Sequence, residues 1–475
     1  RDWNISRQLY WGHRMPIYYC NKNKSKFVVA KSKNEAVKEF KKIDSNIDIR
    51  EIFQENDVLD TWFSSWLWPI SVFDGVRKPK NNDVNYYYPT STIVTGPDII
   101  FFWIARMVIG GLYLRNEKPF ENVYFTGIVR DNKGRKMSKQ LGNSPDPIEL
   151  IEKYGADSVR IGLLFSAPAG NDLLFDESLC VQGRNFTNKL WNAYRLFESF
   201  KVTNKLGQKD STIQAIKWFE LKYNLKVKKI NRCFKNFKIS EALMIIYKLV
   251  WDDFCSIFLE IVKPKFGDEL SQESSLIIKS FFNKILVLIH PFMPFISEEL
   301  FEKLNIKKEI ISENLIWPKS GPTDNSFLLD FDDLIKVVSK VRNFKKQKNI
   351  GFKDELSIYH QNTNINESLS SVFKKLTNCK LIFSEDLDSK DLSTIVVGKY
   401  KYILDFNQES SEDDIKELRK ALDYNLGFKN IIEKKLSNSK FVENAPKNVI
   451  QVERNKLEDV LKKIEIIKQT ISNKN

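Results

Sequence analysis

Cysteine is scarce in this chain, and its few cysteines are widely separated. The 475 residues include five cysteines, and no two of them have the Cys-x-x-Cys spacing of a zinc site or redox motif. A disulfide-stabilised domain and a zinc knuckle are therefore not indicated, and we predict no metal site built by the protein. Cys20 has no cysteine neighbour, so we interpret it as a structural residue.

We also find no long, uninterrupted hydrophobic run in the sequence. The longest apolar run that we identify, residues 285–296, is interrupted by His290, Pro291 and Pro294. A bilayer requires about 20 consecutive apolar residues in a helix. We find no secretory signal pattern, so we expect a cytoplasmic protein that does not contact membranes.

Positive charge is in excess. Lysine and arginine total 75, whereas aspartate and glutamate total 61, which gives a formal net charge of +14. Such a balance suits a polyanionic partner, whose phosphates would make binding dependent on salt. Nucleotide bias of the genome is the alternative, because asparagine and isoleucine are also abundant.

A basic, glycine-containing loop at residues 134–143 is the most informative segment. It follows an apolar stretch, 123–129, that we predict to be a strand, and it precedes Asp146, which has the features of a helix N-cap. Lys136 and Lys139 lie in this loop. Lysine is a point charge on a flexible stem, so the pair can follow the oxygens of a polyphosphate. A solvated surface loop is the commoner explanation of such spacing alone.

Other candidate site residues lie around a predicted strand at 90–95. Gly96 ends this strand and Asp98 follows, so both are expected at a strand's carboxyl end, where α/β sheets bind ligands. Ile99 and Trp103 are four residues apart, as on one face of a helix, and Trp62 lies in an aromatic run. Aromatic residues at helical spacing usually belong to a core.

These segments resemble motifs of the class I aminoacyl-tRNA synthetases, and their context resembles the valine-specific family. Residues 136–140, Lys-Met-Ser-Lys-Gln, are similar to the family's Lys-Met-Ser-Lys-Ser signature, with Gln140 in place of the last serine. Further similar blocks, in family order, are residues 1–8, 10–14, 57–65, 96–103 and 184–192. The run Ile-Ile-Phe-Phe at 99–102 favours valine over isoleucine enzymes, which continue here with polar residues.

The resemblance implies roles for individual residues. Lys136 and Lys139 would be catalytic and would hold the phosphates as pyrophosphate leaves. ATP binding would involve Gly96, Asp98, Gly127, Met137, Ser138 and Lys139. The valine pocket would be formed by Trp62, Ile99 and Trp103. The implied substrates are valine, ATP with Mg²⁺, and tRNA(Val).

The chain also departs from the family. Its three histidines, His13, His290 and His360, do not form the His-x-Gly-His signature, and the segment 21–54 is too short for an editing domain. We therefore expect the C-terminal part of a longer ATP-dependent valine-tRNA ligase that is a monomer when complete. A sister isoleucine or leucine ligase and a non-catalytic tRNA-binding module are the alternatives.

The predicted organisation has four parts. The second half of a Rossmann-like α/β catalytic domain (1–168) is followed by an all-α, anticodon-binding bundle (169–325). A small α/β junction module (326–408) and a C-terminal antiparallel coiled-coil arm that binds tRNA (409–475) complete the chain. Amphipathic periodicity predicts helices at 183–200, 216–237, 240–262 and 275–289 and strands at 381–383, 394–397 and 400–404. A helix is also predicted at 338–348.

Basic side chains on two of these helices are candidates for contact with tRNA. They are Lys222, Arg232 and Lys235, with Tyr223 interleaved, and Arg342, Lys345, Lys346 and Lys348. A solvated basic helix face accounts for the same residues. In the tail, Leu457, Val460 and Ile464 follow heptad-like steps that predict helix pairing, for which self-association is the alternative.

Overall fold

The computed structural model describes residues 2–21, 23–166, 172–304, 316–360, 367–384, 392–397, 400–407, 412–438, 441–442 and 445–472. Helices predominate in these ranges, with several small sheets. The chain divides into two compact units, Arg1–Ser144 with Ser166–Phe175 and Pro145–Phe165 with Asp176–Asn475. The predicted boundaries near 168 and 408 lie outside the described residues, and the four-part division stays a prediction.

The first unit is built from short strands and short helices. Its strands are β1 Ser6–Arg7, β2 Ile17–Cys20, β3 Asn23–Val29, β4 Ile52–Gln54, β5 Val58–Leu59, β6 Thr90–Thr95, β7 Phe120–Phe125, β8 Val129–Arg130 and β9 Leu173–Leu174. Its α-helices are α1 Lys33–Ile43, α2 Thr61–Ser65, α3 Trp68–Ser71, α4 Asn82–Tyr87 and α5 Ala105–Arg115. In the segment 17–54, β2 pairs with β3 and β4, and Phe40 of α1 packs against Tyr18 and Ile52.

A parallel pair of strands positions the candidate site. β6 and β7 pair from Thr90 opposite Phe120 to Thr95 opposite Phe125. The predicted strand at 90–95 is confirmed. The strand predicted at 123–129 is wrong in its limits, because β7 ends at Phe125 and β8 is a separate strand.

The helical stretch after β6 changes type along its length. A 3₁₀ turn, Pro97–Ile99, leads into a π-helical segment, Ile100–Ile104, and then into α5. Pro97–Arg115 is long and apolar enough to cross a membrane, with a mean hydropathy of 1.5, yet only 22% of the apolar window is buried in the described structure. Our inspection of apolar runs missed this segment. One such helix is weak support for a membrane span, because core helices have the same composition.

The second unit is mainly helical. Its helices are α6 Pro147–Tyr154, α7 Ala156–Ser166, α8 Glu177–Glu198, α9 Asp210–Lys235, α10 Ile239–Lys248, α11 Leu259–Val262, α12 Gln272–Ile289, α13 Pro294–Leu304, α14 Asn325–Gln347, α15 Ser370–Thr377, α16 Glu412–Leu436 and α17 Lys447–Ser472, with a π-helical segment at Leu249–Phe258. Asp146 caps α6 as predicted, since its carboxylate accepts a hydrogen bond from the Ile148 amide. The four predicted amphipathic helices are confirmed, with shifted limits. They share a core in which Trp218, Phe219, Phe254 and Phe258 are fully buried.

Strands of the second unit form two small sheets. β10 Val202–Thr203 pairs with β11 Leu270–Ser271, and a four-stranded sheet has the order β13-β12-β15-β14. Its members are β12 Leu356–His360, β13 Cys379–Phe383, β14 Leu392–Val397 and β15 Tyr400–Asn407. The three predicted strands are confirmed, and β12 was missed. The helix predicted at 338–348 belongs to the longer α14, because Asp324 caps its start and Phe331 is buried.

A helical hairpin follows the sheet. α16 packs along α17 through Ile432, Val460 and Ile464, which are buried together, and Leu457 packs against this cluster. Lys435 and Glu453 form an ion pair of 3.2 Å between the helices. The periodicity of the tail therefore correctly predicts pairing within the chain.

Candidate functional site

Two predicted site residues meet at the carboxyl ends of the parallel strands. The Lys136 ammonium lies 3.7 Å from the Asp98 carboxylate, and the two side chains are 63% and 51% exposed. Asp98 follows β6, whereas Lys136 belongs to the loop that follows β8, the short strand after β7. An ion pair this exposed contributes little to stability, so both groups are free to interact with a ligand.

The Asp98 side chain lies close to Gly96. A Cβ atom placed at Gly96 would lie 2.6 Å from the Asp98 carboxylate oxygen, which a rotation of this exposed side chain would relieve. The prediction that Gly96 lets a ligand approach the backbone stays a prediction. The observed orientation of Asp98, toward the end of the strand, does fit the small residue at this position.

Asn143 stabilises the conformation of the loop that contains Lys136 and Lys139. Its side-chain oxygen accepts a hydrogen bond from the Ser138 amide at 2.9 Å, and its amide nitrogen donates to the Asp131 carboxylate at 3.0 Å and to the Lys136 carbonyl at 3.3 Å. The hydrogen bond from Asn143, together with donors from Arg135 and the Lys133 amide, holds the pKa of Asp131 well below its usual range. The sequence reasoning did not single out Asn143 or Asp131, because their partners lie up to 12 residues away.

The remaining residues of the signature have mostly local contacts. The Met137 amide donates to the Val129 carbonyl at 3.3 Å, and the Ser138 hydroxyl accepts from the Leu141 amide at 3.2 Å. A 3₁₀ turn, Lys139–Leu141, begins directly after Ser138. The side chain of Lys139 lies outside the described part of the chain. Gly127 lies in the short link between β7 and β8.

Replacement of Asn143 by alanine should loosen the loop without removing a charged group. In the ATP-pyrophosphate exchange that the resemblance to class I synthetases implies for the complete protein, we expect the rate to fall about tenfold, because two hydrogen bonds that position Lys136 and Ser138 are lost. Asn132→Ala, in the exposed turn of the same loop, is the matched control and should change the rate less than twofold. An unchanged rate in Asn143→Ala would contradict the positioning role.

The predicted valine-pocket residues lie on two neighbouring segments. The Trp62 ring lies 6.0 Å from the Phe102 ring, and the Trp103 indole donates a hydrogen bond to the Ser65 carbonyl at 3.3 Å. That Ile99 and Trp103 share one face of a helix stays a prediction, since the segment between them is π-helical rather than α-helical. Ile99 has non-helical dihedral angles at the start of the π-helical segment that contains Trp103. Such π-helical turns are frequent at functional sites.

Asp60 supports Trp62, and the sequence reasoning did not identify it. The buried carboxylate accepts hydrogen bonds from the Trp3 indole and the Arg7 guanidinium, both at 2.8 Å, and from the Trp62 amide at 3.2 Å. Arg106 stacks over the Trp3 ring at 3.6 Å and lies 3.9 Å from Asp60. These contacts fix the start of α2 and hence the position of Trp62.

Of the basic residues predicted to face tRNA, Lys345 is internal and Lys222 is partly buried, whereas Arg232, Lys235, Arg342 and Lys346 are exposed. Lys222 pairs with Asp332 at 3.0 Å, and Tyr223 is 3% exposed. Lys345 is 4% exposed and donates to the carbonyls of Asp354 and Thr377. Lys345 and Tyr223 therefore fit neither earlier interpretation, since a buried side chain cannot contact tRNA phosphate and does not lie on a solvated helix face. Helical spacing did not reveal this, because the carbonyls that bind Lys345 belong to the loop after α14 and to the end of α15.

Three family models match successive parts of the chain. Residues 1–176 match the class I tRNA synthetases (I, L, M and V), residues 216–360 match the anticodon-binding domain of tRNA ligase, and residues 412–473 match the valyl tRNA synthetase tRNA binding arm.

Relatives of the whole chain are valine-tRNA ligases. The protein from Christiangramia forsetii is 43% identical over 478 residues, and that from Bacteroides fragilis is 44% identical over 480 residues. Each alignment covers 99% of this chain and 54% of the relative, so the chain spans about half the length of the curated relatives it matches.

A solved structure supports the fold. The ternary complex of Agrobacterium radiobacter K84 LeuRS with tRNA and LeuAMS has a TM-score of 0.51 and 19% identity, covering 69% of this chain and 43% of that one. Given the signature loop, the three successive domain matches and the identity to valine-tRNA ligases, the chain belongs to the valyl-tRNA synthetase family of class I aminoacyl-tRNA synthetases.

Proposed function

We propose that this chain is the part of a valine-tRNA ligase that carries the signature lysines and the valine pocket. The complete protein would condense valine with ATP to valyl adenylate and pyrophosphate, and would then transfer valine to tRNA(Val). The observation that supports this best is the approach of Lys136 to Asp98, which lies just past the carboxyl end of β6 in the parallel pair. Ligands of α/β sheets bind at that position.

Catalysis would depend on position and charge. Lys136 and Lys139 would stabilise the negative charge that develops as pyrophosphate leaves, with Met137 and Ser138 shaping the loop between them. Gly96, Asp98 and Gly127 would contact the adenosine part of ATP. Valine would lie among Trp62, Ile99 and Trp103, whose apolar surface suits its side chain. No covalent intermediate with the protein is required.

Magnesium would be held mainly by the phosphates of ATP. Among the residues that the structure describes, no group of three or more His, Cys, Asp or Glu side chains is placed to hold a metal ion. Mg²⁺ commonly binds through substrate phosphates and water, with few protein ligands. The contribution of the chain is therefore the lysine charge around those phosphates.

An exposed apolar surface supports the view that more of the nucleotide-binding fold belongs to the active protein. Phe101 is 81% exposed, Tyr113 is 84% exposed and Ile109 is 57% exposed, all on the stretch Pro97–Arg115. Such a continuous surface is rarely left in water. We infer that the remaining part of the catalytic domain, with the His-x-Gly-His signature, covers it, which also accounts for the hydropathy of this stretch in a cytoplasmic protein.

The second unit would bind tRNA(Val). The helices from α8 to α13 would form the anticodon-binding bundle, the four-stranded sheet would form the junction module, and α16 with α17 would form a coiled-coil arm. The net charge of +14 favours such a partner. The ligase would act as a monomer.

Amino acid dependence of ATP-pyrophosphate exchange tests the proposal on the complete protein. Valine should support exchange at least about 100-fold better than isoleucine or leucine at equal concentration, because the pocket must reject larger side chains. Preference for isoleucine or leucine would assign the protein to a sister ligase. Salt-sensitive tRNA binding without exchange for any amino acid would indicate a non-catalytic module.

A further inference from the structure

A cavity of about 140 Å³, with a lining that is more apolar than polar, lies in the second unit, where α9 and α12 begin beside α15. One water molecule needs about 10–15 Å³ of such space, so the cavity can hold a small hydrated or multi-atom ion. Its lining includes Lys209, Thr212, Ser271 and Lys375. None of these residues has a role in the proposed ligase reaction.

Two buried hydroxyl groups in the lining lack partners. Thr212 is 3% exposed and Ser211 is 9% exposed, and neither side chain makes a hydrogen bond to any residue that the structure describes. Ser271 and Ser274, on the other side of the cavity, bond to each other at 2.8 Å. Neither hydroxyl oxygen of Ser211 and Thr212 is fully enclosed, so each is open to the cavity and available to a bound group.

The start of α9 adds further unsatisfied donors. This 26-residue helix begins after Lys209 without a side-chain cap. The first amide groups of a helix have no partners within it and carry partial positive charge. The uncapped helix start therefore presents donors beside the two hydroxyls.

Lysines make the cavity electropositive. Lys375 is partly buried and donates to the Lys263 carbonyl at 2.6 Å, which leaves two of its N–H groups for other acceptors. Burial lowers the pKa of Lys375, and so do the positive charges of Lys209 and Lys265. Lys209 is paired with Asp268 at 3.0 Å, and the acidic residue of the lining is Glu269. Positive charge therefore exceeds negative charge at the cavity.

We propose that this cavity is a binding site for a phosphate group, held by Lys375, Lys209, the hydroxyls of Ser211 and Thr212 and the first amides of α9. A tetrahedral oxyanion can accept hydrogen bonds from all of these donors at once. The group is either free orthophosphate or a phosphate of an RNA backbone. The site does not depend on the proposed ligase reaction, since no step of that reaction uses it.

Calorimetric titration of the chain with sodium phosphate at low ionic strength, with sodium chloride as the reference salt, tests this site. Saturable binding of one phosphate is expected for the unaltered chain. Lys375→Gln should weaken it on the order of tenfold, and Thr212→Val should weaken it on the order of threefold. Lys374→Gln is the matched control on the same helix, because Lys374 is exposed and pairs with Glu355, and should leave affinity within twofold.

Lys209→Gln provides a variant that does not disturb the interior, since this side chain is 58% exposed. It should also weaken phosphate binding by several-fold. Absence of saturable binding, or equal affinity in Lys375→Gln, Lys209→Gln and the unaltered chain, would overturn the proposal. Addition of a 12-nucleotide single-stranded RNA distinguishes the two sources of the phosphate group. Competition between the RNA and phosphate identifies a site for the RNA backbone. An unchanged phosphate titration identifies a site for the free ion. Neither result depends on valine activation, so failure here is distinct from failure of the ligase assignment.

Discussion

Alanine in place of Lys136 or Lys139 in the complete protein should lower valine-dependent ATP-pyrophosphate exchange by about 100-fold to 1,000-fold. Loss of one preorganised group that stabilises developing charge commonly costs this much. Lys136 lies 3.7 Å from Asp98 at the strand ends, where the phosphates of ATP are expected. Valine binding should change little, because neither lysine belongs to the predicted pocket. Exchange kinetics and equilibrium binding of valine measure the two effects separately.

Lys133→Ala is the control for these variants. Lys133 is an exposed residue of the same loop whose backbone amide, rather than its side chain, bonds to Asp131. The variant removes the same charge and should keep exchange within about threefold of the unaltered protein. Exchange that is equally reduced in all three variants would mean that general positive charge, and not the signature lysines, supports the reaction. Unaltered exchange in Lys136→Ala and Lys139→Ala would refute their assignment.

Trp218→Ala should be the most destabilising single change in the helical unit. The side chain is fully buried and its ring stacks on Phe331 at 4.6 Å, which joins α9 to α14. Truncation of a buried tryptophan to alanine costs about 3–5 kcal/mol, because apolar contact is lost and a cavity remains. Urea unfolding followed by circular dichroism should show a lower transition midpoint for this variant.

Trp218→Phe separates packing from hydrogen bonding. The indole nitrogen of Trp218 has no hydrogen-bond partner among the described residues, so phenylalanine removes no polar contact and keeps most of the apolar one. We expect a loss of about 1–2 kcal/mol, clearly smaller than for alanine. A midpoint for Trp218→Ala equal to that of the unaltered chain would contradict the central position of this residue in the core.

Local patterns predicted the elements that depend on neighbouring residues. The Asp146 cap, the strand at 90–95 and the amphipathic helices were all predictable, since capping and periodicity act within a few positions of the chain. The predicted ends of strands were wrong where no local sequence signal marks the end of the strand. β7 stops at Phe125, although the apolar residues Ile128 and Val129 follow within four positions.

Buried polar residues were the hardest to interpret. Lys345 looked like a surface lysine because its helix is basic, but the carbonyls of Asp354 and Thr377 satisfy its ammonium inside the fold. Nothing in the sequence marked Asp60 or Asn143. Their partners Trp3, Arg7 and Asp131 are not neighbours in the chain and come close only in the folded structure. Such contacts depend on tertiary approach and leave no periodic pattern.

The sequence by itself determined the family resemblance, the signature lysines and most helices and strands, because these depend on residue identity and short-range spacing. Only the tertiary structure decided that Lys136 meets Asp98, that Asn143 fastens the signature loop and that Thr212 and Lys375 line one cavity. The first and the last of these contacts join residues from different elements, and Asn143 reaches Asp131 across 12 residues of its loop. Their approach is set by the packing of strands and helices around apolar cores, a long-range effect that no single stretch of sequence contains.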